Sequence, residues 1–282
     1  MSAVTVRRRR GDPVRFVVLT GLVLLAVVTL VPFLLVAVNA VKSPSDYSRN
    51  GPLGLPESLY LRGIVDFWVR VDFAEKLMNS AVIAGAVAVL AVLVSISAAY
   101  ALGIGRVHGR LWIIGVFLLA NLMPQEALVY PLYYMAKKVD LYDTRLAVII
   151  IFTAVQSAFG TYLLSSVLSR FPREILDAAR IDGASRWQTL WRVVVPISWP
   201  TLSVLLVFFF IWTWNEFFIP LVMLVSNDNQ TVPVALGVLQ GQRLMDATTQ
   251  SASALLGILP AVVFFILFQR TLTRGIAAGA VK

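Results

Sequence analysis

Apolar residues in this chain run in long uninterrupted stretches, not in the alternating or three-to-four-residue rhythms of half-buried strands and surface helices. A helix needs about 20 apolar residues to cross roughly 30 Å of hydrocarbon. Six stretches meet that length: residues 16–38, 77–102, 111–133, 146–168, 201–224 and 252–268. The first follows Arg7-Arg8-Arg9-Arg10 as a signal peptide would, but it exceeds the ~7–15 residues of a secretory core and reads as a retained span. The segment 39–76, with Pro44, Pro52 and Pro56, reads as an external excursion. The expectation is an all-α polytopic membrane protein with six transmembrane helices. Its parts are a basic arm at 1–15, a first helix at 16–38, the external segment at 39–76, a five-helix core at 77–270 containing a polar loop at 169–200, and a tail at 271–282.

Composition narrows the function. Of 282 residues, 59% are hydrophobic and only 14% charged, against roughly 45–50% and 25% in soluble domains. An aqueous enzyme or nucleic-acid binder of this length has no way to hide so much apolar surface. Cysteine is absent, which excludes disulfides, thiolate nucleophiles and cysteine metal sites, and His108, the one histidine, cannot build a zinc site alone. No catalytic, cofactor-binding or metal-binding residue is expected. The net charge of +9 is distributed by side: the face carrying both termini has 15 Lys and Arg against 4 acids, whereas the other has 9 of each. Basic excess marks the cytoplasmic side, which places both termini in the cytoplasm of a cell (inner or plasma) membrane. The charge then attracts anionic lipid, not nucleic acid.

The loop at 169–200 carries the strongest local signals. Pro172 suits a first helical turn, Glu174 and Asp177 favour the positive helix end, and Gly183 suits a left-handed C-terminal turn. Ser185 with Gln188 forms a capping box that opens a second helix from Arg186 to about Val194, which Pro196 and Pro200 are expected to end. Ala178 and Ala179 offer a small-residue patch ringed by Arg173, Asp177, Arg180 and Asp182. Two readings fit: a docking surface for another protein, or an amphipathic element on the lipid interface anchored by Trp187, Trp191 and Trp199.

Asp177-Ala178-Ala179, three residues, Gly183, nine residues, then Val193-Val194-Val195-Pro196 resembles the EAA loop of binding-protein-dependent ABC importer permeases. Asp177 stands where that pattern has Glu, and Val193 and Val195 where it has Ile and Leu. Further segments are similar to the carbohydrate-uptake branch, in particular its maltose-type second permease subunit. They are Asn79-Ser80, Ala98 to Leu102, Leu141-Tyr142-Asp143-Thr144, Trp214-Asn215-Glu216-Phe217, Gln230 to Val234, and the tail from Gly275 to Lys282. The resemblance implies a type I ABC importer permease fold with a cytoplasmic coupling helix at residues 172–183. It implies a second permease subunit, two ATPase subunits that hold the ATP and Mg, an external binding protein and a sugar as cargo. Glu174, Asp177, Ala178, Ala179, Asp182, Gly183 and Pro196 would contact the ATPase, and the external loop with Gln240, Gly241, Gln242 and Arg243 the binding protein. The chain has no phosphate-binding Gly-x-x-x-x-Gly-Lys-Ser/Thr loop of its own.

Glu126 and Glu216 are the two carboxylates within spans, where ionisable groups are functional candidates. Fifteen residues from the cytoplasmic start of its span, each is expected ~22 Å deep. With Gln125, Tyr130 and Asn215 they are expected to line or gate a polar pathway; the alternative is hydrogen bonding to neighbouring helix backbone. A secondary transporter that needs no ATPase is the rival function, and it leaves the loop at 172–196 without a purpose.

Overall fold

A computed structural model describes residues 13–105, 107–241 and 246–280, with side chains described over 15–105, 107–238 and 246–269. Among the described residues every regular element is helical. In chain order these are α1 (Pro13–Ala40), α2 (Pro44–Asn50), α3 (Arg62–Arg70), α4 (Phe73–Gly103), α5 (Arg110–Leu122), α6 (Gln125–Lys138), α7 (Arg145–Leu168), α8 (Arg173–Ile181), α9 (Arg186–Thr189), α10 (Val195–Asn215), α11 (Phe218–Met223), α12 (Val232–Gly241) and α13 (Ala247–Ala280). Five helical runs are long and apolar enough to cross a membrane, and six if the bent pair α5 and α6 counts as one span.

The chain divides into two compact units. The first comprises residues 1–67 and 244–256. Within it, the side chains of α1 from Arg15 to Leu34 are all exposed. The following excursion is an ordered knot: Lys42 Nζ donates to the Gly51 carbonyl at 2.9 Å, while Asp46 accepts from Asn50 Nδ2 at 2.8 Å and from the Glu57 amide at 3.0 Å.

The second unit, 68–243 and 257–282, holds the main core. One apolar cluster joins Ala91, Ile96 and Ala99 of α4 with Leu164 and Leu168 of α7 and Leu202, Leu205 and Phe209 of α10. Another joins Ile83 and Val87 with Val148, Phe152, Ile219 and Met223. Lipid is as apolar as these side chains, so close van der Waals contact, not water exclusion, holds membrane helices together. Small residues on the buried stripe of α4 (Ala84, Ala88, Ala91, Ser95, Ala99) and Gly160 of α7 permit that contact. A Cβ at Gly160 would lie 2.8 Å from Ser95 Cβ and 2.9 Å from Phe209 Cζ, whereas one at Gly85 would meet nothing within 4 Å. Gly160→Ala is therefore expected to destabilise the fold by about 1–3 kcal/mol through overpacking, and Gly85→Ala is not. Melting of the purified protein in detergent tests the pair; equal melting temperatures would discard this account.

Three expectations are corrected. The span at 111–133 is broken: α5 ends at Leu122, Met123 and Pro124 are extended, and α6 leaves at 98° to α5. Residue 124 has ψ 129°, and its missing N–H removes a helical bond. The ~22 Å depth assigned to Glu126 assumed a straight helix and no longer applies. Conversely, Pro196 and Pro200 do not end the helix after Ser185, because one helical run extends from Arg186 to Asn215. A π turn at Leu190–Val194, closed by the Val195 N–H on the Leu190 carbonyl, widens the backbone just before Pro196 and relieves the ring's clash with the preceding turn. The span expected to reach Leu224 stops at Asn215, where Glu216 caps it with ψ 132° before the short α11.

Candidate functional site

At one end of the core, α8 and α9 form the helical pair anticipated at 172–196. Pro172 precedes the first helical residue, and Glu174 occupies the first turn. Gly183 has φ +77°, with its N–H on the Arg180 carbonyl at 3.0 Å and the Ala184 N–H on that of Ala179 at 2.9 Å. That is a full Schellman closure. Ser185 and Gln188 complete their capping box in both directions. Glu174, Asp177, Ala178, Asp182, Gly183 and Pro196 are exposed, and Asp177 pairs with Arg180 at 3.2 Å. Ala179 departs from the expected patch: it is buried, as is Leu176 of the main core, because helical spacing turns those two inward and leaves Ala178 outward. Exposed Ile181 and Trp187 add apolar surface beside it. Beneath α8 lies a cavity of about 750 Å³ bordered by Tyr100, Ile104, Arg180 and Arg186.

At the opposite end of α4, segments far apart in sequence meet in a polar clasp. Lys76, fully buried, donates to the Asn227 carbonyl at 2.6 Å. Asn79 donates to the carbonyls of Asp228 and Gln230 at 2.7 and 3.0 Å and accepts from Arg145 at 2.9 Å. Ser80 accepts the Val232 N–H at 2.9 Å. Asp143, at φ +60°, accepts the Val225 and Ser226 amides at 2.9 and 3.0 Å and the Ser226 hydroxyl. Burial pushes the Asp143 carboxyl up, but the bonds from Ser226, Val225 and Asn229 outweigh it and hold the group below its ordinary 3.8. Asn79-Ser80, Leu141 to Thr144 and Gln230 to Val234 were separate sequence features; here they grip one loop. Lys76 and Arg145 were not anticipated, although a lysine at the first turn of an apolar span is itself an unusual placement.

Between these ends, α5, α6, α7 and α10 enclose a cavity of about 520 Å³. Gln125, Asn215 and Glu216 of the expected pathway set line it, joined by Gln156 of α7 and by Trp212. Glu126 and Tyr130 do not line it. Glu126 is exposed in the first turn of α6, within electrostatic reach of Glu216, and Tyr130 is exposed with its ring 4.8 Å from that of Tyr134. Gln156 and Thr213 were not anticipated, although an amide within an apolar run, like Gln125 and Asn215, is a polar group placed at a cost in the membrane. Gln240 and Gly241 have no described side chains, and Gln242 and Arg243 lie outside the described residues.

The described helices thus form an apolar bundle with a polar cavity between spans and a capped helical pair projecting at one end. The family of binding-protein-dependent transport system inner membrane components matches residues 92–277. The lactose transport system permease protein of Rhizobium radiobacter is 30% identical over 99% of both chains. The trehalose/maltose transport system permease protein of Thermococcus litoralis is 31% identical over 95% of this chain and 97% of its own. A crystal structure of a bacterial ABC transporter involved in the import of the acidic polysaccharide alginate contains a chain with TM-score 0.80 and 20% identity, covering 93% of this chain and 98% of that one. The chain belongs to the family of binding-protein-dependent transport system inner membrane components. It is a multi-pass permease subunit of an importer that works with an ATPase and a substrate-binding protein, and it is not itself the ATPase.

Proposed function

We propose that this permease carries a sugar. It forms half of the pathway with a second permease subunit and is driven by two ATPase subunits that hold ATP and Mg. Both termini lie in the cytoplasm, in keeping with the basic excess on that face. Residues 172–196 dock on an ATPase subunit through Glu174, Asp177, Ala178, Asp182 and Gly183, while Ala179 and Pro196 shape the docking helix and its continuation. Gln125, Asn215 and Glu216 line the pathway, with Glu126 and Tyr130 at its border, and Gln240, Gly241, Gln242 and Arg243 reach the binding protein. The observation that carries this reading is the unbroken helical run from Arg186 to Asn215. It begins at the projecting pair and ends beside Glu216 at the cavity, so displacement at one end is transmitted to the other.

The relatives named for lactose and for trehalose/maltose support the sugar class. The test is reconstitution with the partner permease, the ATPases and the binding protein, offered lactose, maltose, trehalose and arabinotriose. ATP-dependent accumulation of one of them, with ATPase activity rising when the binding protein is loaded, is expected. Accumulation at equal rate without the ATPases would refute it.

A further inference from the structure

The cavity between α5, α6, α7 and α10 has a chemical polarity that is visible only once its hydrogen bonds are followed. Thr213 donates its hydroxyl proton to the Phe209 carbonyl at 2.9 Å, so toward Gln156 it is able only to accept. Gln156 Nε2 supplies that bond at 2.8 Å, which orients the amide and leaves Oε1 free. Gln156 is 5% exposed and its Oε1 is buried without a partner.

The same arrangement recurs around the cavity. Asn121 Nδ2 donates to the Phe117 carbonyl at 2.7 Å, and Asn215 Nδ2 to the Ile211 carbonyl at 2.8 Å. Each of these three amides therefore directs one of its two N–H donors to the protein and keeps its oxygen available. Gln125 Oε1 and Glu216 Oε2 add two further buried oxygens without a donor. Leaving acceptors buried and unpaired costs free energy, so the cavity favours a ligand that brings donors. Beside these oxygens lies a ring surface, Trp212 packed edge-on to Phe159 at 5.5 Å.

We infer that this cavity is a sugar-binding subsite built within this subunit itself, in which Gln156 accepts a sugar hydroxyl and Trp212 offers a ring face to the sugar C–H surface. The inference rests on the importer reading above and adds where, and through which atoms, the cargo is held. A volume of about 520 Å³ falls in the range of roughly 300–1,000 Å³ that encloses small organic ligands. A bare metal ion fits the donor set poorly: among the described residues no three His, Asp or Glu side chains come together as ligands. The subsite lies eleven residues along α7 from Arg145, ~16 Å at 1.5 Å per residue, near mid-span. Thr213 is a positioning residue, because it acts on the sugar only through the orientation it imposes on Gln156.

The test uses the assembled complex of both permease subunits and the ATPases, with the binding protein withheld, and measures equilibrium binding of radiolabelled lactose, maltose, trehalose and arabinotriose. At least one sugar is expected to bind. Gln156→Met, which conserves volume and removes the oxygen, should weaken that binding about tenfold or more. Thr213→Val should weaken it less, and Thr213→Ser, which keeps the hydroxyl, should restore it. Each variant complex is first shown to assemble, with both permease subunits and the ATPases in the proportion of the unmodified complex. Absence of binding by all four sugars overturns the inference, as does unchanged affinity in an assembled Gln156→Met complex, or equal weakening by Thr213→Val and Thr213→Ser. Displacement of the sugar by choline at equal affinity would assign the cavity to cations instead and overturn it too. If the unmodified complex fails to import any sugar, the importer reading itself has failed; if it imports normally while Gln156→Met has no effect, only the subsite has.

Discussion

Asp143→Ala is expected to release the loop at 224–232 and to lower ATP-driven uptake by at least about tenfold. The substitution leaves the Val225 and Ser226 amides and the Ser226 hydroxyl without their acceptor. Hydrogen bonds to a charged group contribute about 1.5–3 kcal/mol each when well shielded; this site is half-buried, and water replaces part of the loss. A net cost of about 2 kcal/mol is expected, equivalent to roughly a thirtyfold rise in the open population. Hydrogen exchange at Val225 and Ser226 reads this directly, and unchanged protection in the variant would rule out the clasp as a restraint. The carboxyl is held below 3.8 in the folded protein. Its stabilisation is therefore complete above that value and is lost as pH falls through the depressed one. Protection, corrected for intrinsic exchange, should stay level from neutrality to about pH 5 and fall only below the ordinary carboxylate range. Asp143→Asn should instead be weakened at every pH.

Gly183→Val should separate transport from ATP hydrolysis. At φ +77° a β-branched residue meets its own backbone, a strain of about 1–2 kcal/mol for ordinary side chains and more for Val. The closure formed by the Gly183 and Ala184 N–H groups is lost, so α8 no longer meets α9 at a defined angle. The permease subunits should still assemble with one another while the ATPase content of the purified complex falls about tenfold, the effect of about 1.4 kcal/mol. Gly183→Asn tolerates the left-handed region and should retain coupling. Full ATPase content and normal stimulation in Gly183→Val would remove the helical pair from the coupling role.

Much of this was legible along the chain. The apolar runs at 77–102 and 146–168 agree with α4 and α7 within a few residues, because hydrocarbon thickness sets the length of any crossing helix. The Ser185–Gln188 box and the Gly183 turn are local backbone chemistry and appear as expected. Proline was not legible in the same way. Pro124 sits at a 98° break, Pro131 and Pro200 lie inside helices, and Pro196 follows a π turn that accommodates it. One residue type has three outcomes because the neighbouring turns, not the ring, determine whether the lost bond is replaced.

The sequence by itself determined the membrane class and the caps of the projecting pair, since each depends on length or on contacts within a few residues. Tertiary structure alone decided that Ala179 faces inward, that Asn79, Asp143 and Gln230 close on one loop, and that Gln156, with an unpaired oxygen, shares a cavity with Trp212 and Glu216. Those contacts join positions tens to more than a hundred residues apart, and only the packing of α4, α7 and α10 sets which of them meet.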